Sequence, residues 1–349
     1  MKKGQRLLIQ VLLVLTMGPS AQAGMKQPCG DSIPIIYSSQ YNISILGIEN
    51  FHPFDSKKFK KVYKGLIDSQ AICPSQFFHP QIVTDSQLLH VHTPDYLHTL
   101  RKSSVIAKIV EISPLRFLPA FVLHSSILKP MKYATGGTIL GVELALRCGW
   151  AINLSGGYHH AKASAGDGFC VYADVPIALH SMWKEFPELK VLIVDLDAHQ
   201  GNGNSSILGG DNRVAILDLY NSSIYPHDFD AVQQVKYPVP LERRTKTNQY
   251  LELLSHWLPK AVSDFGPGLI VYNAGTDIFK DDQLGGLSVS EEGVIQRDEF
   301  VFKVAFQNRI PILMVLSGGY NRKSGDIIAR SIGNIMVKNG LERRGMMNR

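Results

Sequence analysis

The sequence predicts an α/β domain built on a parallel sheet with helices on both faces. Three observations carry this. Short apolar runs of strand length recur along the chain, each ends in a polar or glycine-rich turn, and helical-looking segments lie between several of them. The runs are IPIIYS (33–38), WAINLSGG (150–157), VLIVDLD (191–197), RVAILDLY (213–220), LIVYNAG (269–275) and IPILMVLSGG (310–319). They are apolar throughout and do not alternate, as strands buried on both faces must be, and this is the mark of a parallel sheet. The intervening helices are expected over 175–188, 248–262 and 290–308. No internal repeat and no linker divides 24–349, which is expected to form a single catalytic domain.

The first 23 residues have the pattern of an export leader. Lys2, Lys3 and Arg6 precede the apolar stretch Leu7 to Met17, and Ala21-Gln22-Ala23 is a small-x-small cleavage site. Eleven apolar residues are too few to span a bilayer. The expectation is export to the periplasm or medium if the leader is cleaved, cytoplasmic residence otherwise, and no transmembrane span in the mature chain. Cleavage would lower the formal charge from +6 to +3, too little to argue for direct nucleic-acid binding. Four cysteines, Cys29, Cys73, Cys148 and Cys170, make no disulfide scaffold and no CxxC pair, so they are read as structural.

In parallel sheets, sites gather beyond the carboxyl ends of the strands. Four such ends carry chemistry: GGYHH with His159 and His160, DLDAHQGNG with Asp195, Asp197, His199 and Asn202, NAGTD with Asp277, and SGGY with Tyr320. Residues two apart on extended backbone point the same way, so Asp195, Asp197 and His199 project together. Asp197, His199 and Asp277 then offer two carboxylates and an imidazole. Three protein ligands with an open fourth position are the arrangement of a catalytic zinc site, and the set also suits iron(II) or cobalt. Singly, an Asp-x-His is more often a hydrogen-bonded pair, a tandem His a solvated loop and a Tyr a turn residue. Together, at successive strand ends, they indicate a metal site.

The tandem histidines fit that site. A water activated by a metal needs a base for its proton, and the leaving group needs an acid. Asp195 is the expected partner of His159 and would hold it cationic. Asn202 is the expected partner of His160, and a neutral amide orients a ring without stabilising its charge, which makes His160 the better base near neutral pH.

With these residues in view, the chain resembles the zinc-dependent histone deacetylases, most closely their class IV branch. The resemblance runs through HPFD (52–55), HVHTPDYL (90–97), TGGTI (135–139), GGYHHA (156–161), DGFCVYAD (167–174), DLDAHQGNG (195–203), YNAGTD (272–277), DQLGGLSVS (282–290) and LSGGY (316–320). These motifs stand in family order and cover about 33–337. The resemblance implies the arginase/deacetylase fold, a parallel β-sheet between helical layers. It implies one zinc per chain on Asp197, His199 and Asp277, His159 and His160 as the acid/base pair, and Tyr320 as the hydroxyl polarising the scissile carbonyl. Gly157, Phe169 and Tyr225 match positions lining the acyl-lysine tunnel. A structural potassium would fall on Asp195, Asp197, His199, Asp218 and Leu219. The class IV branch further implies a preference for long-chain acyl groups. The branch also carries Asn at position 202, where others have Asp, and SPLRFLPAF (113–121) has no counterpart of the acidic residue with which many relatives hold the substrate backbone.

The implied partner is an acylated lysine in a protein or peptide. A small-molecule amide hydrolase, such as an acetylpolyamine deacetylase, would share every one of these residues. A two-metal ureohydrolase would need further acids beside the Asp-x-His ligands, where this chain has QGNG. A non-catalytic binding module would have lost a ligand, a histidine or the tyrosine, and all are present.

Overall fold

The computed structural model describes residues 32–45, 55 and 57–341. The leader (1–23), Cys29, residues 52–54 of HPFD and the C-terminal Arg343, Arg344 and Arg349 lie outside the described residues. Seven parallel strands form one sheet: β1 (Ile35–Ile36), β2 (Trp150–Asn153), β3 (Val191–Asp195), β4 (Val214–Asn221), β5 (Tyr237–Leu241), β6 (Leu269–Asn273) and β7 (Ile312–Val315). Their order is β1-β2-β7-β6-β3-β4-β5.

Six of these strands coincide with the six apolar runs, although β1 keeps only two residues of its run and β4 extends one residue past its run to Asn221. The seventh, β5, was not expected, because its sequence YPVPL contains two prolines. Proline cannot donate to a ladder and is tolerated at a sheet edge. At this edge Tyr237, Val239 and Leu241 are buried while Pro238 and Pro240 face outward.

The main helices are α1 (Lys58–Asp68), α2 (Lys129–Cys148), α3 (Asp174–Met182), α4 (Asn202–Leu208), α5 (Thr247–Phe265), α6 (Glu291–Gln307) and α7 (Ser324–Lys338). The helix expected over 175–188 ends at Met182, and the other two expected helices correspond to α5 and α6. Helix α2 stops at Gly149, whose φ of +85° suits glycine. Helix α6 begins with Ser290 accepting from the Gly293 N–H at 3.0 Å.

Alternate residues of each central strand enter two cores. Leu192, Val194, Tyr272 and Met314 pack with α1, α5, α6 and α7, whereas Val191, Ile193, Val271 and Leu313 pack with α2 and α3. Both faces are therefore dry, which leaves the strand ends as the place where polar groups gather. Cys148 is disulfide-bonded, and Cys73 and Cys170 are free. Among the described residues, no helix is long and apolar enough to cross a membrane.

Candidate active site

The carboxyl ends of β2, β3, β6 and β7 converge. Asp197, His199 and Asp277 are buried there, and one donor atom of each lies within 4.8 Å of the others. His199 Nδ1 stands 3.1 Å from Asp197 Oδ1 and 2.9 Å from Asp277 Oδ2. A tetrahedron with bonds of about 2.0 Å has corners about 3.3 Å apart, so the donor set is close to the spacing a metal needs. Its electrostatics also favour a cation. Burial opposes charge on His199, yet both carboxylates outweigh it and raise its pKa to about 10. Burial, then the neighbouring Asp197 charge, pushes Asp277 up to about 7. Two buried carboxylates aimed at one point fit a divalent ion.

Local backbone holds these ligands. Asp197 accepts from the His199 N–H at 2.9 Å and the Gly318 N–H at 2.8 Å, and Asp277 accepts from the Ala198 N–H at 2.8 Å. A Cβ at Gly318 would lie 2.5 Å from Asp197 Oδ2 and 2.6 Å from Asp277 Oδ2, so the β7 turn reaches this close only as glycine.

The tandem histidines stand beside this cluster, their rings 4.1 Å apart. His159 Nδ1 meets Asp195 Oδ2 at 3.0 Å, and His160 Nδ1 meets Asn202 Oδ1 at 2.8 Å. The environments push the two rings in opposite directions. Burial works against charge on His159, but Asp195 and then Asp197 overcome it and raise the pKa to about 9. Burial, with the His159 charge beside it, drives His160 well below the usual histidine range. The pair therefore offers one cationic and one neutral imidazole. Asp218 lies opposite Asp195 in the β3–β4 register. Its Oδ1 is buried without a hydrogen-bond partner among the described residues, and burial and Asp195 raise its pKa. This buried orphan oxygen suits a monovalent cation.

Beside the cluster opens an apolar cavity. His159, His160, Tyr320, Gly157 and Phe169 line it. The Tyr320 ring stands 6.0 Å from that of His199 and 5.9 Å from that of Phe169. Tyr225 is not among the lining residues. It packs edge-on against His160 at 5.0 Å and is 38% exposed. The apolar wall includes Ile43, Ile45, Phe59, Val110, Ile127 and Met131, none of which sequence reasoning selected.

Sequence reasoning also missed the buttresses. Asp174 accepts from the Gly157 and Tyr158 N–H groups at 2.9 and 2.8 Å and from Thr138 at 2.6 Å, fixing the turn that carries the histidines. Asp282 accepts from the Tyr320 N–H at 2.7 Å. The Lys58 ammonium donates to the Ser317 and Gly318 carbonyls at 2.6 and 2.9 Å. Arg297, fully buried, donates to the Leu196 and Gly275 carbonyls at 3.1 and 2.5 Å and so ties together the two strand ends that bear Asp197 and Asp277. Asp174 and Asp282 lie in the quoted DGFCVYAD and DQLGGLSVS motifs, which gave a signal without a role. Lys58 and Arg297 gave none.

A protein-family model described as the histone deacetylase domain matches residues 52–336. The chain is 44% identical over 303 residues to histone deacetylase 2 of Arabidopsis thaliana, across 87% of this chain and 78% of that one. Among solved structures, the HD domain of HDA15 superposes with a TM-score of 0.72 at 20% identity, covering 89% of this chain and 90% of that one. The acetylpolyamine aminohydrolase of Burkholderia pseudomallei superposes with a TM-score of 0.68 at 16% identity, covering 87% and 99%. At those identities the two structures show the shared fold alone, a parallel sheet between helical layers. The sequence matches go further: the chain belongs to the histone deacetylase domain family.

Proposed function

We propose that the protein hydrolyses the amide of acylated lysine in a protein or peptide, with one zinc per chain, and that it prefers long-chain acyl groups. The observation carrying this reading is the convergence of Asp197, His199 and Asp277 beside an apolar cavity whose wall includes both tandem histidines and Tyr320.

Zinc on Asp197, His199 and Asp277 would supply Lewis-acid polarisation and a lowered water pKa at its open position. The chain's own groups do the rest. Water adds to the carbonyl carbon as neutral His160 takes its proton. The Tyr320 hydroxyl donates to the carbonyl oxygen as that oxygen gains negative charge. His159, held cationic by Asp195, adds positive charge beside it. The C–N bond then breaks as the proton on His160 passes to the departing lysine nitrogen, leaving a carboxylate and a free amine. Asp195, Asp197, His199, Asp218 and Leu219 would hold a structural potassium, with the orphan Asp218 Oδ1 as its support.

The cavity supports the chain-length preference. The SAGDGFC turn contributes only Gly168, Phe169 and Cys170 to the wall, and aliphatic residues such as Ile43, Ile45, Val110 and Ile127 contribute much of the rest. Each buried methylene contributes about 0.8 kcal/mol, so a longer acyl chain gains affinity quickly. On one peptide, myristoyl-lysine is expected to give a higher kcat/KM than acetyl-lysine. A clear win for acetyl-lysine removes the long-chain reading, and hydrolysis of acetylpolyamines with neither peptide cleaved removes the acyl-lysine reading. We also propose that the protein is exported: the leader pattern and the disulfide at Cys148 both suit an oxidising compartment.

A further inference from the structure

A general base must present an unprotonated nitrogen to the water it activates. In a neutral imidazole this is a question of tautomer, decided by the hydrogen bond at the other nitrogen. The two histidines differ here. His159 faces Asp195, a carboxylate that only accepts. His160 faces Asn202, whose amide accepts through one end and donates through the other. Turned over, that amide would donate to Nδ1, move the ring proton to Nε2 and cancel the base. Asn202 and His160 are 2% and 3% exposed, so water cannot arbitrate.

The far side of the amide supplies the missing constraint. Asn202 Nδ2 donates to Asp228 Oδ2 at 3.2 Å, and the same oxygen accepts from Lys162 Nζ at 2.7 Å. Asp228 itself is pinned. Its Oδ1 accepts from the Ala231 N–H at 3.1 Å. Its backbone N–H donates to Gln200 Oε1 at 3.1 Å, and its carbonyl accepts from Gln200 Nε2 at 2.9 Å. A fixed group that only accepts therefore meets the amide nitrogen, while the amide oxygen meets His160.

We propose that Asp228 is a positioning residue for the hydrolysis: by accepting from Asn202 it keeps the amide oxygen on His160 Nδ1 and leaves Nε2 free as the base. This rests on the reading of His160 as the base. Where a carboxylate at position 202 would need no orientation, the amide makes a third residue necessary.

The test uses the zinc-loaded protein. Asp228→Asn keeps the shape and the bond to Ala231, and turns an NH2 toward Asn202. The expected result is a kcat lower by about 10- to 100-fold, a fraction of what a general base contributes, with KM nearly unchanged. In 15N spectra of histidine-labelled protein, the His160 pattern should move from protonated Nδ1 to protonated Nε2. Adding Asn202→Asp, which can only accept, should restore most of the kcat. An unchanged His160 tautomer in Asp228→Asn overturns the proposal, as does a loss of kcat that Asn202→Asp does not relieve. His160→Ala separates the two claims. If turnover survives it, the base reading fails, while the tautomer in Asp228→Asn still decides what positions the ring.

Discussion

At the strand ends, Asp195, Asp197, Asp218 and Asp277 form a floor buried together with three imidazoles, of which His159 and His160 line the cavity, while the cavity wall at Ile43, Ile45, Val110, Ile127 and Met131 is aliphatic or thioether. The floor is assembled from strand ends, where each carboxylate is fixed by a backbone N–H, a side chain or both. The wall is assembled from apolar residues in segments scattered over 43–131. Floor groups act through charge at fixed points, so removing one leaves its partners uncompensated. Wall groups act through area and volume, which change by degrees. On the proposed function, the difference teaches where each property of the enzyme would be written: chemistry in the floor, choice of acyl chain in the wall.

The largest effect is expected at the floor's proposed metal ligands. Asp277→Ala removes one donor and one of the two charges facing the ion, so zinc and hydrolysis are expected to be lost with the fold retained. Elemental analysis of the folded variant checks this, and full zinc with normal turnover would mean that Asp277 is no ligand. His160→Ala comes next, with zinc kept and a rate lower by about two to four orders of magnitude. His159→Ala is expected to cost less, its role being electrostatic, and steady-state kinetics showing an equal or larger loss would exchange the two assignments. Tyr320→Phe removes one donor to the developing oxyanion and is expected to cost about 10²–10³ in kcat with substrate binding little changed. Unchanged turnover would put the hydroxyl away from the carbonyl.

The wall gives the smallest and most selective change. Ile112 lines the cavity and is only half-buried, so a larger side chain is tolerated there. Ile112→Trp is expected to lower kcat/KM for myristoyl-lysine about tenfold, the worth of roughly two methylenes, and to leave acetyl-lysine nearly untouched. Equal losses on both peptides would erase the distinction between wall and floor.

The same division explains what was legible in the sequence. The floor stood out because Asp195, Asp197 and His199 share one strand end at a spacing of two, and because apolar runs mark where strands stop. The sheet was legible for the same reason, apart from β5, whose two prolines hide an edge strand. The wall and the buttresses were not legible, because contacts between distant positions define them. Lys58 reaches carbonyls at Ser317 and Gly318, and Arg297 reaches one at Leu196, separations of 259, 260 and 101 residues. No local pattern announces such a lysine or arginine, since its neighbours in sequence are ordinary helix residues. Asn202 was visible as the partner of His160, but the residue that orients its amide was not, because Asp228 lies 26 positions away beyond a helix and a strand.

The central claim, that the floor works through a bound metal, is tested most directly by one titration. Acyl-lysine peptide hydrolysis is followed as the protein is stripped with a chelator and then resupplied with zinc. The account predicts that hydrolysis disappears with the metal and returns in full at about one zinc per chain, the stoichiometry of a single three-ligand site. Hydrolysis persisting at its original rate in the metal-free protein would contradict it.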